Sequence, residues 1–182
     1  VPVESLRKLV HWLCERSGTA RRLYGERFEE GRSPHSVGGN SAIVLPSPVS
    51  GGSPVVERTV HLSSDGSQLF GMVSSPLTTP SACRDDARKG ILLLAHGATR
   101  CLGPGRMYVP LARRWAALGR VVLRLDLSGI GDSAAREGQP EHIIYSPSAA
   151  RDVASALDYM RRELGVEDCQ AVGICSGAYH SF

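Results

Sequence analysis

The chain has 182 residues, enough for one domain with a hydrophobic core and a small appendage. Hydrophobic residues make up 42% and charged residues 21%, a balance that excludes a disordered chain. The 21 basic and 18 acidic residues leave a formal charge of +3, with no basic block of the kind that binds nucleic acid or an anionic membrane.

The cysteines are Cys14, Cys83, Cys101, Cys169 and Cys175, an odd and scattered set. With no CxxC pair and no histidine at ligand spacing, neither a disulfide framework nor a metal site is expected, and a reducing cytoplasm is the default. No cofactor is expected either. Apart from Lys8 and Lys89 the basic residues are arginines, a bias that implies no function by itself. No apolar run reaches the length of a membrane span, and no signal peptide is visible. The sequence starts at Val1 rather than Met, so a leader or an upstream domain could be missing.

In chain order, "PVESLRKLVHWLCERS" sets Val3, Leu6, Leu9, Val10 and Leu13 at helical spacing. A second charged helix is expected around residues 20–30. "GRSPHSVGGNSAIVLPSPVSGGSP" is rich in Gly, Ser and Pro and reads as a linker, with a boundary near Pro54. The division is thus 1–54, a helical extension and linker, and 55–182, the main domain.

"VVERTVHL" and "QLFGMVSS" flank Asp65-Gly66, a pair suited to a tight hairpin turn. Residues 77–89 form a polar loop. "GILLLAHG" is a continuous apolar run, as in a strand buried on both faces. "MYVPLARRWAALG" predicts a helix with Tyr108, Leu111, Ala112, Trp115 and Leu118 on its apolar face, stopped at Gly119. "RVVLRLDLSG" is the next strand. Ser146 and Pro147 read as an N-cap and first-turn pair for a long helix. Its stripe is Ala150, Val153, Ala154, Leu157, Met160 and Leu164. "CQAVGIC" closes the series. Strands near 91–95, 121–126 and 170–174, alternating with helices, predict one parallel sheet flanked by helices.

Two nucleophiles end that last strand, Cys175 and Ser176. A sharp strand-to-helix turn can raise a reactive side chain above a sheet only if its neighbours are small, hence a G-x-nucleophile-x-G frame. Gly173 and Gly177 centre that frame on Cys175; centring it on Ser176 would place Ile174 and Ala178 where glycines belong. Ser176 then supplies its backbone N–H to an oxyanion. His96-Gly97 ends a buried strand, and the N–H of Ala98 could be the second donor. His96 reads as a structural residue of that turn rather than a general base.

In combination, His96-Gly97, "RLDLSGIGDS" over Arg124 to Ser133 and "GICSGA" resemble the N-terminal half of an α/β-hydrolase domain. The likeness is to the serine-aminopeptidase-like branch and to exosortase-associated hydrolases, and it runs from Val55 to Phe182. Most of that superfamily places Ser at the elbow; dienelactone hydrolases are similar to this chain in placing Cys there. The resemblance implies that the segment from Asp126 to Ser133 shapes the site, with Asp126 and Asp132 tying down a loop. In family order the acid and the histidine follow the nucleophile, so the resemblance implies a sheet truncated after the elbow. His180 stands too close to the elbow for the family's base, and His142 could only approach the mouth of the site.

The reading that follows is an esterase, thioesterase, amide-cleaving enzyme or acyltransferase working through an acyl-enzyme on Cys175. Its partner is a small-molecule acyl substrate, with no nucleic acid and no membrane. A second chain or a missing downstream segment would complete the sheet and supply the acid and base. The alternatives are an inactive hydrolase-like binding module and a truncated fragment.

Overall fold

The computed structural model of the protein describes residues 42–78 and 88–181. The helices expected over 3–13 and 20–30, and most of the 77–89 loop, lie outside the described residues. One six-stranded sheet organises the rest. Its strands are β1 (Ile43–Leu45), β2 (Val55–Ser64), β3 (Ser67–Pro76), β4 (Lys89–Leu94), β5 (Val121–Leu125) and β6 (Asp168–Gly173). Helices α1 (Tyr108–Ala117), α2 (Ala149–Arg162) and the single turn α3 (Ser176–Tyr179) connect and follow them. The strand order is β1-β2-β3-β5-β4-β6. The first three strands run antiparallel to their neighbours, and β5, β4 and β6 are mutually parallel.

The hairpin of β2 and β3 turns at Asp65 and Gly66, both with positive φ (47° and 78°). That backbone matches the twist of the flanking strands, which is why an Asp-Gly pair serves there. Ile91 to Leu94 are all buried, as a strand between two parallel neighbours and two helical layers must be. Leu92, Leu94, Val121, Leu123 and Leu125 share one hydrophobic cluster with Ala149, Ala156 and Met160 of α2. Full burial of each leucine contributes about 1.5–3 kcal/mol.

The opposite face carries α1 and a buried charge cluster. Glu57 Oε1 accepts from Ser74 Oγ (2.8 Å) and Arg124 Nη2 (3.0 Å), and its Oε2 accepts from Arg113 Nη2 of α1 (2.7 Å). Burial alone would raise the Glu57 pKa, but the Arg113 hydrogen bond, the Arg124 charge and Ser74 together hold it below the usual carboxylate value.

Three sequence expectations shift. Ile43–Leu45, inside the expected linker, pairs with β2 as an edge strand, and Val49 packs on Ala116 and Ala117. On α1 the buried residues include Val109 and Ala116, whereas Leu111 and Leu118 are only half-buried. Helix α2 starts at Ala149 after Ser148, two residues beyond the expected start, and buries Ala149, Asp152, Ala156 and Met160. Ala150 and Ala154 face solvent instead. The stripe turns because Asp152 is drawn inward: its Oδ1 accepts from Ser64 Oγ (2.8 Å) and Arg136 Nη2 (2.7 Å), and its Oδ2 from Ser128 N (2.9 Å).

Candidate functional site

Cys175 stands between β6 and α3 with φ 57° and ψ −121°, and it is exposed. A non-glycine residue there is strained, by roughly 1–3 kcal/mol, and holds that shape only where its surroundings enforce it. The glycines do so. A Cβ on Gly173 would overlap the backbone C and O of Gly177, and a Cβ on Gly177 would overlap Leu94 O and approach Ala95 O at 2.8 Å. The turn therefore sits hard against the end of β4.

The strand ends meet there because β4 and β6 are paired in register, Leu94 opposite Gly173. Beyond Leu94 the chain turns through His96 to Thr99. Thr99 closes the turn on His96, its N–H and its hydroxyl both donating to the His96 carbonyl (3.2 and 2.6 Å). Thr99 Oγ1 is also 3.1 Å from His96 Nδ1, so that ring nitrogen is engaged within the loop. The Ser176 side chain is buried, and its Oγ accepts the Gly97 N–H at 2.6 Å. Among the described residues, the N–H groups of Ser176 and Ala98 have no hydrogen-bond partner.

The loop after β5 is tied down as the Asp126 reading requires. Asp126 is fully buried, and its Oδ2 accepts the Asp132 N–H at 3.0 Å. Ser133 Oγ donates to the Asp126 carbonyl (2.7 Å) and accepts from Phe70 N (2.8 Å). Asp132 pairs with Arg100 at 3.1 Å, linking this loop to the segment after His96. Burial pushes the Asp126 carboxyl up to about 6, against the pull of the Asp132 and Cys101 N–H groups. Its Oδ1 has no partner in hydrogen-bond geometry. Cys101, buried beside it, is pushed up to about 12, first by burial and then by the Asp126 charge. A thiol so held is not a nucleophile.

Tyr108 was legible in the sequence only as part of an apolar stripe. Its hydroxyl donates to Leu94 O at 3.1 Å, at the point where β4 meets the elbow. Burial pushes its pKa up to about 12, opposed by the nearby Ile174 N–H.

The two histidines are placed elsewhere. His180 ends α3 with Nε2 at 2.8 Å from the Ile144 carbonyl, which makes that nitrogen a donor. The His142 side chain is largely exposed and lies 3.9 Å from Glu141. Among the described residues, no side chain hydrogen-bonds the Cys175 thiol. No helix among them is long and apolar enough to cross a membrane.

Among solved structures, an esterase of Pyrococcus furiosus matches with a TM-score of 0.53 at 12% identity, over 69% of this chain and 45% of that one. The chain folds like part of an α/β-hydrolase. A dienelactone hydrolase-like promiscuous phosphotriesterase from metagenomic libraries is also similar, with TM-score 0.48 and 18% identity over 70% of this chain and 52% of that one. So is a cold-adapted esterase from an Arctic intertidal metagenomic library, with TM-score 0.45 and 20% identity over 68% and 52%. The chain thus spans about half the length of these structures. No family model matches the sequence, and no curated protein does.

Proposed function

We propose that this hydrolase-like sheet serves acyl chemistry, with Cys175 as the nucleophile. The observation that carries the reading is the strained, exposed Cys175 held between two glycines at which any Cβ would force backbone to move. The substrate is an ester, a thioester or an amide. The deprotonated Sγ attacks the carbonyl carbon, and the carbonyl oxygen takes the charge in reach of the Ser176 and Ala98 N–H groups. Collapse expels the alcohol, thiol or amine, which takes up a proton. Water or an acceptor nucleophile then attacks the thioester carbonyl and frees the thiol. His96, Gly97, Gly173 and Gly177 shape the site. The acid and the base come from a downstream segment or a second chain, which also pairs with the edge of β6; among the described strands only β4 does so.

Mass spectrometry after exposure to p-nitrophenyl acetate tests this. An acetyl group on Cys175, lost in Cys175→Ala and partly kept in Cys175→Ser, is the expected result. Label on Ser176, or undiminished label at the elbow of Cys175→Ala, would overturn it. A protein that no acyl donor labels would favour the alternative, a binding module of the same fold.

A further inference from the structure

We propose that the Ser176 hydroxyl is the positioning group of the loop that carries the Ala98 N–H. This rests on the reading of Cys175 as nucleophile and goes beyond it. Residue 176 follows the nucleophile, and only its N–H is needed to face an oxyanion. Its side chain could therefore be any small group, yet it is a buried hydroxyl turned to the neighbouring loop.

Three consecutive N–H groups cap the end of β4, those of Gly97, Ala98 and Thr99. The Thr99 N–H is taken by the His96 carbonyl and the Gly97 N–H by Ser176 Oγ. Ala98 N–H alone of the three is unpartnered among the described residues. Ser176 Oγ thus selects which amide is presented, and fixes it relative to the residue that supplies the other donor. A single side chain joins the two halves of the oxyanion site. Gly97 has a positive φ of 55°, in the region glycine adopts without steric cost, and the Thr99 bonds to the His96 carbonyl close the turn but do not tie it to α3. The hydroxyl does.

A different reaction at the same sulfur separates positioning from folding. Alkylation of Cys175 by iodoacetamide develops no oxyanion; acylation by p-nitrophenyl acetate does. In Ser176→Ala we expect acylation to slow by about tenfold to a hundredfold, approaching the loss of one oxyanion donor, with alkylation within about twofold. The fall belongs in kcat rather than KM. Equal loss of both rates, or unchanged acylation, overturns the proposal. Amide exchange in the unaltered full-length protein is the second measurement. Protection of the Gly97 N–H is expected, and free exchange there overturns the proposal even if Ser176→Ala does not fold. Persistent label on Cys175→Ala would instead defeat the nucleophile assignment, and Gly97 exchange would still decide the Ser176 contact.

Discussion

Tyr108 donates its hydroxyl hydrogen to Leu94 O, and the same carbonyl leaves no room for a Cβ on Gly177. One acceptor at the end of β4 thus receives the strut from α1 and limits the residue two places after Cys175. A side chain of α1 bears on the elbow through the end of β4.

Tyr108→Phe removes that strut while keeping the ring that packs on Gly103. The Leu94 carbonyl is left buried without its side-chain donor, so a loss of about 1–2 kcal/mol is expected. Urea unfolding measures it. A stability equal to the parent would mean that Leu94 O does not depend on the tyrosine.

Gly177→Ala and Gly173→Ala each place a methyl group where backbone atoms already stand. Neither obstacle is the end of a flexible side chain, so relief requires the elbow or β4 to move. We expect a loss of about 3 kcal/mol or more and, on the proposed role of Cys175, loss of its labelling by acyl donors. Full stability of either variant would show that the turn has more room than this packing leaves.

Glu57→Gln leaves Arg124 buried without its counter-charge, at 2% exposure. Breaking a buried pair from one side costs about 3–5 kcal/mol, more than the pair itself contributes. Replacing Arg124 by Met as well should therefore restore part of the loss, as a double-mutant cycle would read. Because the Glu57 pKa is held low, its contribution is present above the unfolded value of 4.5 and is lost as pH falls through the folded value. If the single variant unfolds no more easily than the parent, the network does not couple β2 to α1.

What the sequence discloses and what it hides separate by distance along the chain. The turn is local: within "GICSG" two glycines and the sterics of one turn place Cys175 at the strained position. The central strands are nearly as local, because Ile91–Leu94 is a continuous apolar run and Val121–Leu125 is one broken only by Arg124. The stripe of α2 is not, because Asp152 is drawn inward by Arg136 and by Ser64, 88 residues away. Its burial depends on partners that periodicity cannot see. Ser176 Oγ meets Gly97 across 79 residues, and β1 has three residues of mostly exposed character, too few for any pattern. A charged or polar residue at an inward helical position, with a complementary charge on a nearby loop, is the signal that a sequence reading can use for the first of these.

The pH dependence of Asp126 gives the last test. Its carboxyl is raised from 3.8 to about 6 by burial, so the folded state favours the protonated form. Below pH 4 both folded and unfolded states are protonated there, and no penalty arises. As pH rises past 4 the unfolded chain ionises first, and the folded state loses ground until it too ionises near 6. The stability lost over that window is about 3 kcal/mol, at 1.36 kcal/mol per pKa unit. Asp126→Asn abolishes the titration, so the parent's stability relative to this variant should fall by about that amount between pH 4 and 7. The difference cancels Glu57, whose dependence runs the other way, because both proteins retain it. Urea unfolding of the two proteins across that range measures the slope. A constant difference from pH 4 to 7 would mean that Asp126 titrates in the folded protein as it does in the unfolded chain.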